Sequence, residues 1–252
     1  MKRPTILITN DDGYRSKGIT ALIDTAKEFG NVVVVAPNNS KSGQSHAITV
    51  KEFLRLTLVK DEEGLKIYRS SGTPVDCVKL AIQELKLEPD LILSGINHGI
   101  NSSVSVHYSG TMGAVKEGCL SGFPSVGFSL DDYHSDADFT NTVKVIKRVI
   151  PKVLSNGLPN WTCLNINVPN VETLAGVKVC RQAHGAWKEA FDKRQDPHGQ
   201  DYFWLTGAYE LHDASSQDTD EWALRNAYAS VVPTTVDTTA YHMLDEVNEW
   251  KI

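Results

Sequence analysis

Apolar positions follow two alternating periods along the first two-thirds of the chain. Residues 4–10, Pro-Thr-Ile-Leu-Ile-Thr-Asn, read as a short buried strand that ends in the turn Asp11-Asp12-Gly13. Ile19, Leu22, Ile23 and Ala26 then recur at helical spacing as far as Phe29-Gly30. Four consecutive valines, Val32, Val33, Val34 and Val35, read as a strand covered on both faces. Thr73-Pro74 opens a second helix, with a threonine cap, proline in the first turn and Asp76 three residues after the cap. Its apolar face is Val75, Val78, Ala81, Ile82 and Leu85. Strands are predicted at 90–93, 125–130 and 163–168, with helices at 111–120 and 136–154 between them. This alternation predicts an α/β fold of three layers around a mainly parallel sheet.

The last quarter breaks the pattern. Residues 181–200 are charged and turn-rich, with Asp196-Pro197-His198-Gly199 as a hairpin tip. Tyr202-Phe203-Trp204-Leu205 resumes as a strand, 220–229 reads as helix, 230–232 as extended and 239–250 as helix. A lone hairpin is marginal in water, so contact with another subunit is expected here. The chain therefore divides into a catalytic core, 1–180, and a hairpin and C-terminal arm, 181–252, used for oligomerisation.

Composition narrows the partners. A length of 252 residues suits one to two domains of ~150 residues. Lys plus Arg is 25 against 31 Asp plus Glu, a net charge of −6, which argues against a nucleic-acid polymer as ligand. A small phosphorylated ligand stays open, because a metal ion can offset its charge. No apolar run approaches the ~18–20 residues of a membrane span. Met1-Lys2-Arg3 is followed only by Ile6-Leu7-Ile8 before Asp11, too short for a signal peptide. Cys77, Cys119, Cys163 and Cys180 are scattered, with no metal or disulfide spacing, and a cytoplasmic protein with reduced thiols is expected.

Ligands of such sheets sit at the carboxyl ends of the strands, which is where three polar segments fall: 10–12, 38–46 and 94–101. Asp11 and Asp12, turning through Gly13, can approach one point. Close carboxylates repel unless one is protonated or a cation lies between them, and oxygen donors favour Mg²⁺, Mn²⁺ or Ca²⁺. The competing reading is a helix start carrying acidic residues for its dipole. Ser42 lies in a small-residue loop that suits an anion or a metal. Asn97 and Asn101 are four apart and can offer amide oxygen or N–H groups. Ser109-Gly110-Thr111 precedes a helix, a ready anion site. His98 and His107 read as packing or rim residues, and no bulky apolar pocket for a base is visible. Neither a Walker A motif nor a dinucleotide fingerprint is present.

Together Ile8-Thr9-Asn10-Asp11-Asp12-Gly13, Ser42-Gly43-Gln44-Ser45, Gly72-Thr73-Pro74-x-Asp76-Cys77, Ser94-Gly95-Ile96-Asn97-x-Gly99-x-Asn101 and Tyr108-Ser109-Gly110-Thr111 resemble the survival-protein SurE family. Asp196-Pro197-x-Gly199 and Thr219-Asp220 extend the likeness almost to the C-terminus. The resemblance implies a Rossmann-like core and a metal-dependent phosphatase of nucleoside monophosphates, acting on 5′- and 3′-nucleotides and in some members on polyphosphate. It implies one divalent ion, Mg²⁺ or Mn²⁺, held by Asp11, Asp12, Ser42 and Asn97. It further implies that Asn101, Ser109, Gly110 and Thr111 face the phosphate, with Asp11, Asp12, Asn97 and Asn101 catalytic. A homodimer or homotetramer built through the arm is implied as well. The chain departs from the family pattern at 102–105, where Gly and acidic residues are common, at Met112 for Val, and at Ala227 for Gly. A nucleotide-sugar transferase and a non-catalytic nucleotide sensor are the rival readings. Free phosphate released from a monophosphate separates both from a phosphatase.

Overall fold

Thr5–Thr9 (β1) is the first strand, and later strands are laid on either side of it. The computed structural model describes residues 3–251. After β1 come α1 (Lys17–Ala26), β2 (Asn31–Pro37), β3 (Leu56–Glu62), β4 (Leu65–Ser70), α2 (Pro74–Gln83), β5 (Leu91–His98) and α3 (Gly110–Leu120). They are followed by β6 (Ser125–Leu130), α4 (Thr140–Asn156), β7 (Thr162–Val168), β8 (Gly176–Val179), β9 (Gly185–Gln195) and β10 (Asp201–Leu211). The chain closes with α5 (Asp220–Arg225), β11 (Tyr228–Thr235) and α6 (Leu244–Glu249).

Nine strands form one sheet in the order β3-β4-β2-β1-β5-β6-β7-β11-β8. It is mostly parallel; β3 against β4 and β11 against β7 are antiparallel. From β1 the chain goes first to β2 on one side and later to β5 on the other. The crevice at the carboxyl ends of β1 and β5 is therefore a topological switch point, the place where open α/β sheets bind ligands.

Strand alternation explains the three layers. Ile6 and Ile8 of β1, Val32 and Val34 of β2, and Leu91 and Leu93 of β5 pack with Ile19 and Leu22 of α1 and Ile146 and Ile150 of α4. Leu7, Val35 and Ile92 point the other way, onto Cys77 and Val78 of α2 and Ala114 of α3. The valine run is thus covered on both faces, as its sequence predicts. The four cysteines are free and buried, and burial pushes the Cys77 thiol up to about 12. Among the described residues no helix is long and apolar enough to cross a membrane.

The structure differs from the sequence reading in three places. The β3–β4 hairpin lies in a stretch to which no element was assigned. β5 runs on through His98, although Ser94-Gly95 and Asn97 carry turn signals; a register shift against β6 between Ser94 and Asn97 absorbs them. The hairpin expected around the 196–199 tip is present, with β9 and β10 paired over 11 residues each as a separate two-stranded ribbon. α5 stops at Arg225, short of 229, and the segment assigned to the arm then re-enters the core: β11 lies in the main sheet between β7 and β8. Among the described residues only the β9–β10 ribbon stands outside that sheet, as a second sheet.

Candidate active site

Asn10 folds the turn that carries the two aspartates. Its Nδ2 donates to the Gly13 carbonyl at 3.0 Å and to Ser16 Oγ at 2.9 Å, while its Oδ1 accepts from the Gly13 N–H at 3.2 Å. Gly13 has φ +99°, a left-handed conformation that favours glycine. Asp11 and Asp12 thereby leave β1 at the switch point.

Asp11 is 3% exposed. Its Oδ1 accepts the Thr111 hydroxyl at 2.5 Å, and its backbone carbonyl accepts Lys41 N–H at 2.7 Å. A Cβ on Gly110 would lie 2.9 Å from the Asp11 Cβ and 3.0 Å from its Oδ2, so only glycine lets α3 begin this close. Burial first, and then the charge of Asp12, push the Asp11 carboxyl up to about 6. Burial also raises Asp12, against the His98 N–H that donates to its Oδ2 at 3.2 Å. Among the described residues neither aspartate has an ion-pair partner. Arg15, the nearest base in sequence, lies instead over the Tyr14 ring at 5.0 Å.

The bulge in β5 re-aims Asn97. Its Nδ2 donates to the Gly99 carbonyl at 2.7 Å, which leaves the amide oxygen for a ligand. The 38–46 loop is clipped at both ends, by Lys41 to Asp11 and by Ser45, whose N–H donates to the Tyr108 carbonyl at 3.0 Å and whose hydroxyl donates to the His107 carbonyl at 2.6 Å. Ser42 sits between the clips. Asp11, Ser42, Asn97, Asn101 and Ser109 all line one cavity of about 620 Å³. Two carboxylates without a cationic partner, an amide oxygen and a hydroxyl form an all-oxygen donor set that fits a hard divalent ion.

A family model described as Survival protein SurE matches residues 6–189. The chain belongs to the SurE family. A relative from Flavobacterium psychrophilum named 5′-nucleotidase SurE is 50% identical over 256 residues, covering 100% of this chain and 99% of its own. Another of that name, from Phocaeicola vulgatus, is 45% identical over 252 residues, covering 100% and 98%. The crystal structure of the SurE protein from Aquifex aeolicus matches with a TM-score of 0.83 at 38% identity, covering 99% of this chain and 100% of that one.

Within this SurE-family site the structure distributes the remaining residues unevenly. The Thr111 hydroxyl donates to Asp11 and so holds that carboxylate. Gly110 gives Asp11 room, and Ser109 caps α3 by accepting the Met112 N–H at 3.0 Å. Asn101 is locked by residues the sequence reading did not single out. Its N–H donates to Asn167 Oδ1 at 2.7 Å, its Nδ2 to Ser129 Oγ at 2.9 Å, and its carbonyl accepts Asn165 Nδ2 at 2.8 Å. The signal was present: Asn165-Ile166-Asn167 puts two amides on one face of an otherwise apolar strand. His98 lines the cavity with its ring edge-on to Phe139 at 5.2 Å, while its backbone serves Asp12. The cavity also has an aromatic side, contrary to the expectation of no base pocket: Tyr108, Tyr133 and, from the β9–β10 ribbon, Trp187 line it.

Proposed function

We propose that this chain is a divalent-metal-dependent 5′-nucleotidase that releases orthophosphate from nucleoside monophosphates. The observation that carries the reading is the Asp11–Asp12 pair, without a cationic partner among the described residues, with Asp11 buried against a cavity that also has aromatic walls. The names of the full-length relatives support it.

Asp11, Asp12, Asn97 and Ser42 are the residues that would hold the ion. When bound, the ion would neutralise phosphoryl charge and lower the pKa of water. The chain's own groups do the rest. Asn101 Nδ2 carries two hydrogens and gives one to Ser129, so the other can donate to a phosphate oxygen. Ser109 accepts from Met112 and keeps its hydroxyl proton for the same use. Both donors are held before substrate arrives, the condition under which they stabilise charge spreading over the equatorial oxygens. Asp12 has Oδ2 on the His98 N–H, and its Oδ1 orients the attacking water. Water adds to phosphorus as the bond to the ribose oxygen breaks, giving nucleoside and phosphate.

The same phosphate end would take 3′-nucleotides and polyphosphate. We place the enzyme in the cytoplasm as a homodimer or homotetramer in which the ribbon, with Phe203 and Trp204 exposed, meets another subunit. Asp11→Asn in a panel of nucleotides with Mg²⁺ or Mn²⁺ tests the assignment. Phosphate release should fall to background while the fold persists; near-wild-type turnover, or full wild-type activity in excess chelator, overturns it.

A further inference from the structure

The ribbon wall of the cavity carries a carboxylate that the hydrolysis does not use. Residues two apart on a strand share a face, and both Trp187 and Glu189 of β9 line the cavity. Across the ribbon Glu189 is paired with Gly207, so no side chain stands opposite it. The basic residues flanking it are engaged: Lys188 with Glu210 at 2.6 Å and Lys193 with Asp201 at 2.5 Å. Among the described residues Glu189 has no ion-pair partner. A free carboxylate beside the path of a phosphate monoester is repulsive unless it meets a part of the ligand that donates hydrogen bonds.

We propose that Glu189 reads the nucleobase and selects guanine. The inference rests on the nucleotidase reading and assigns the specificity of that same cavity. A carboxylate offers two acceptor oxygens side by side and no donor. Of the four bases only guanine presents two adjacent donors on its pairing edge, N1–H and the N2 amino group. Adenine and cytosine each place a ring-nitrogen lone pair beside their amino group, and uracil flanks its single N–H with two carbonyls. Each of those would set an acceptor against one oxygen of Glu189, and an unmatched polar pair discriminates more strongly than a lost apolar contact. Trp187 lies beside Glu189 on the same wall, where a ring can cover the base face while its edge meets the carboxylate.

The test compares kcat/KM for GMP, AMP, CMP, UMP and dGMP in the wild type and in Glu189→Gln. Gln has one acceptor and one donor, which matches adenine and can no longer accept from both N1–H and N2 of guanine. The wild type should prefer GMP to AMP and keep that preference for dGMP. Glu189→Gln should lower the GMP-to-AMP ratio by about tenfold or more. In parallel, guanosine should inhibit hydrolysis of p-nitrophenyl phosphate more strongly than adenosine in the wild type, and lose that advantage in the variant. A ratio that does not move, or an equal loss for all bases, overturns the assignment of Glu189 while leaving the nucleotidase reading intact. Hydrolysis of p-nitrophenyl phosphate without hydrolysis of any nucleotide overturns the nucleotidase reading itself.

Discussion

Thr111 donates its hydroxyl to the carboxylate of Asp11 at 2.5 Å, joining the first turn of α3 to the end of β1 across 100 residues of sequence. Among the described residues Thr111 is the one side chain that donates a hydrogen bond to Asp11. A hydrogen bond to a charged group contributes about 1.5–3 kcal/mol. Thr111→Val keeps the shape and removes the donor. It should raise the Asp11 carboxyl further and weaken divalent-ion binding at pH 7 by about tenfold or more, read by titration calorimetry. Thr111→Ser should restore most of the affinity; wild-type affinity in the valine variant would show that the bond does not support the site.

Metal dependence of stability should itself depend on pH. Asp11 lies at about 6 in the metal-free fold against an ordinary 3.8, so the folded state holds its proton more tightly than the unfolded chain. Stability without metal therefore falls as pH rises from about 4 to about 6, by roughly 3 kcal/mol from this residue. A divalent ion offsets the penalty only where the carboxylate is ionised. Saturating Mn²⁺ should raise Tm clearly at pH 7.5 and little at pH 5. In chelator at pH 7.5, Asp11→Asn should melt above the wild type.

Ala227 sits in the turn between α5 and β11 at φ +63°, the left-handed region that costs a residue with a Cβ about 1 kcal/mol or more. This is the position at which the family resemblance leads one to expect glycine. Ala227→Gly should stabilise the fold by about 0.5–1 kcal/mol, a rise in Tm of about 2 °C for a chain of this size, read by thermal unfolding.

Asp220 ties distant segments to the active-site turn. Its Oδ1 accepts the N–H groups of Ala183 and Glu221, both at 2.9 Å, and its Oδ2 accepts the Ser103 N–H at 2.8 Å. Ser103 lies two residues after Asn101 at φ +47°, a conformation that persists because its surroundings hold it. Asn at 220 must turn its amino group toward at least one of these donors. Asp220→Asn should lower unfolding stability by about 2–3 kcal/mol in urea titrations. A loss under 0.5 kcal/mol would show that the network is not needed.

What was legible in the sequence followed from burial on a regular period. The valine run, the Thr73-Pro74 start and the apolar face of α2 each carry one unmixed signal, and each appears as predicted. The 196–199 hairpin tip appears as well, but the extent of β9 was not readable, because an exposed ribbon has no apolar face to mark it: Lys188, Glu189, Asp192, Lys193 and Arg194 interrupt its aromatics. The end of β5 was obscured because Gly95 and Asn97 are turn residues recruited into a bulge. The motif segments were readable as a site because chain order and the strand-end rule place them together. Which strand amides would hold Asn101, and that Tyr133 and Trp187 would join Tyr108 along one wall, was not readable, since tertiary packing alone brings them together. Nor could sequence show that Arg15 turns away from the aspartates beside it.

The position of β11 has a consequence for synthesis. The ribosome delivers the chain from its N-terminus, yet the penultimate element of the chain is the one that enters between β7 and β8. Until residue 235 has emerged, β7 presents an open edge from Thr162 to Asn167, and β8 has no neighbour at all. Nascent chains stopped before Tyr228 should therefore be prone to strand-edge association. The enzyme would complete its sheet only once residue 235 is available to pair with β7.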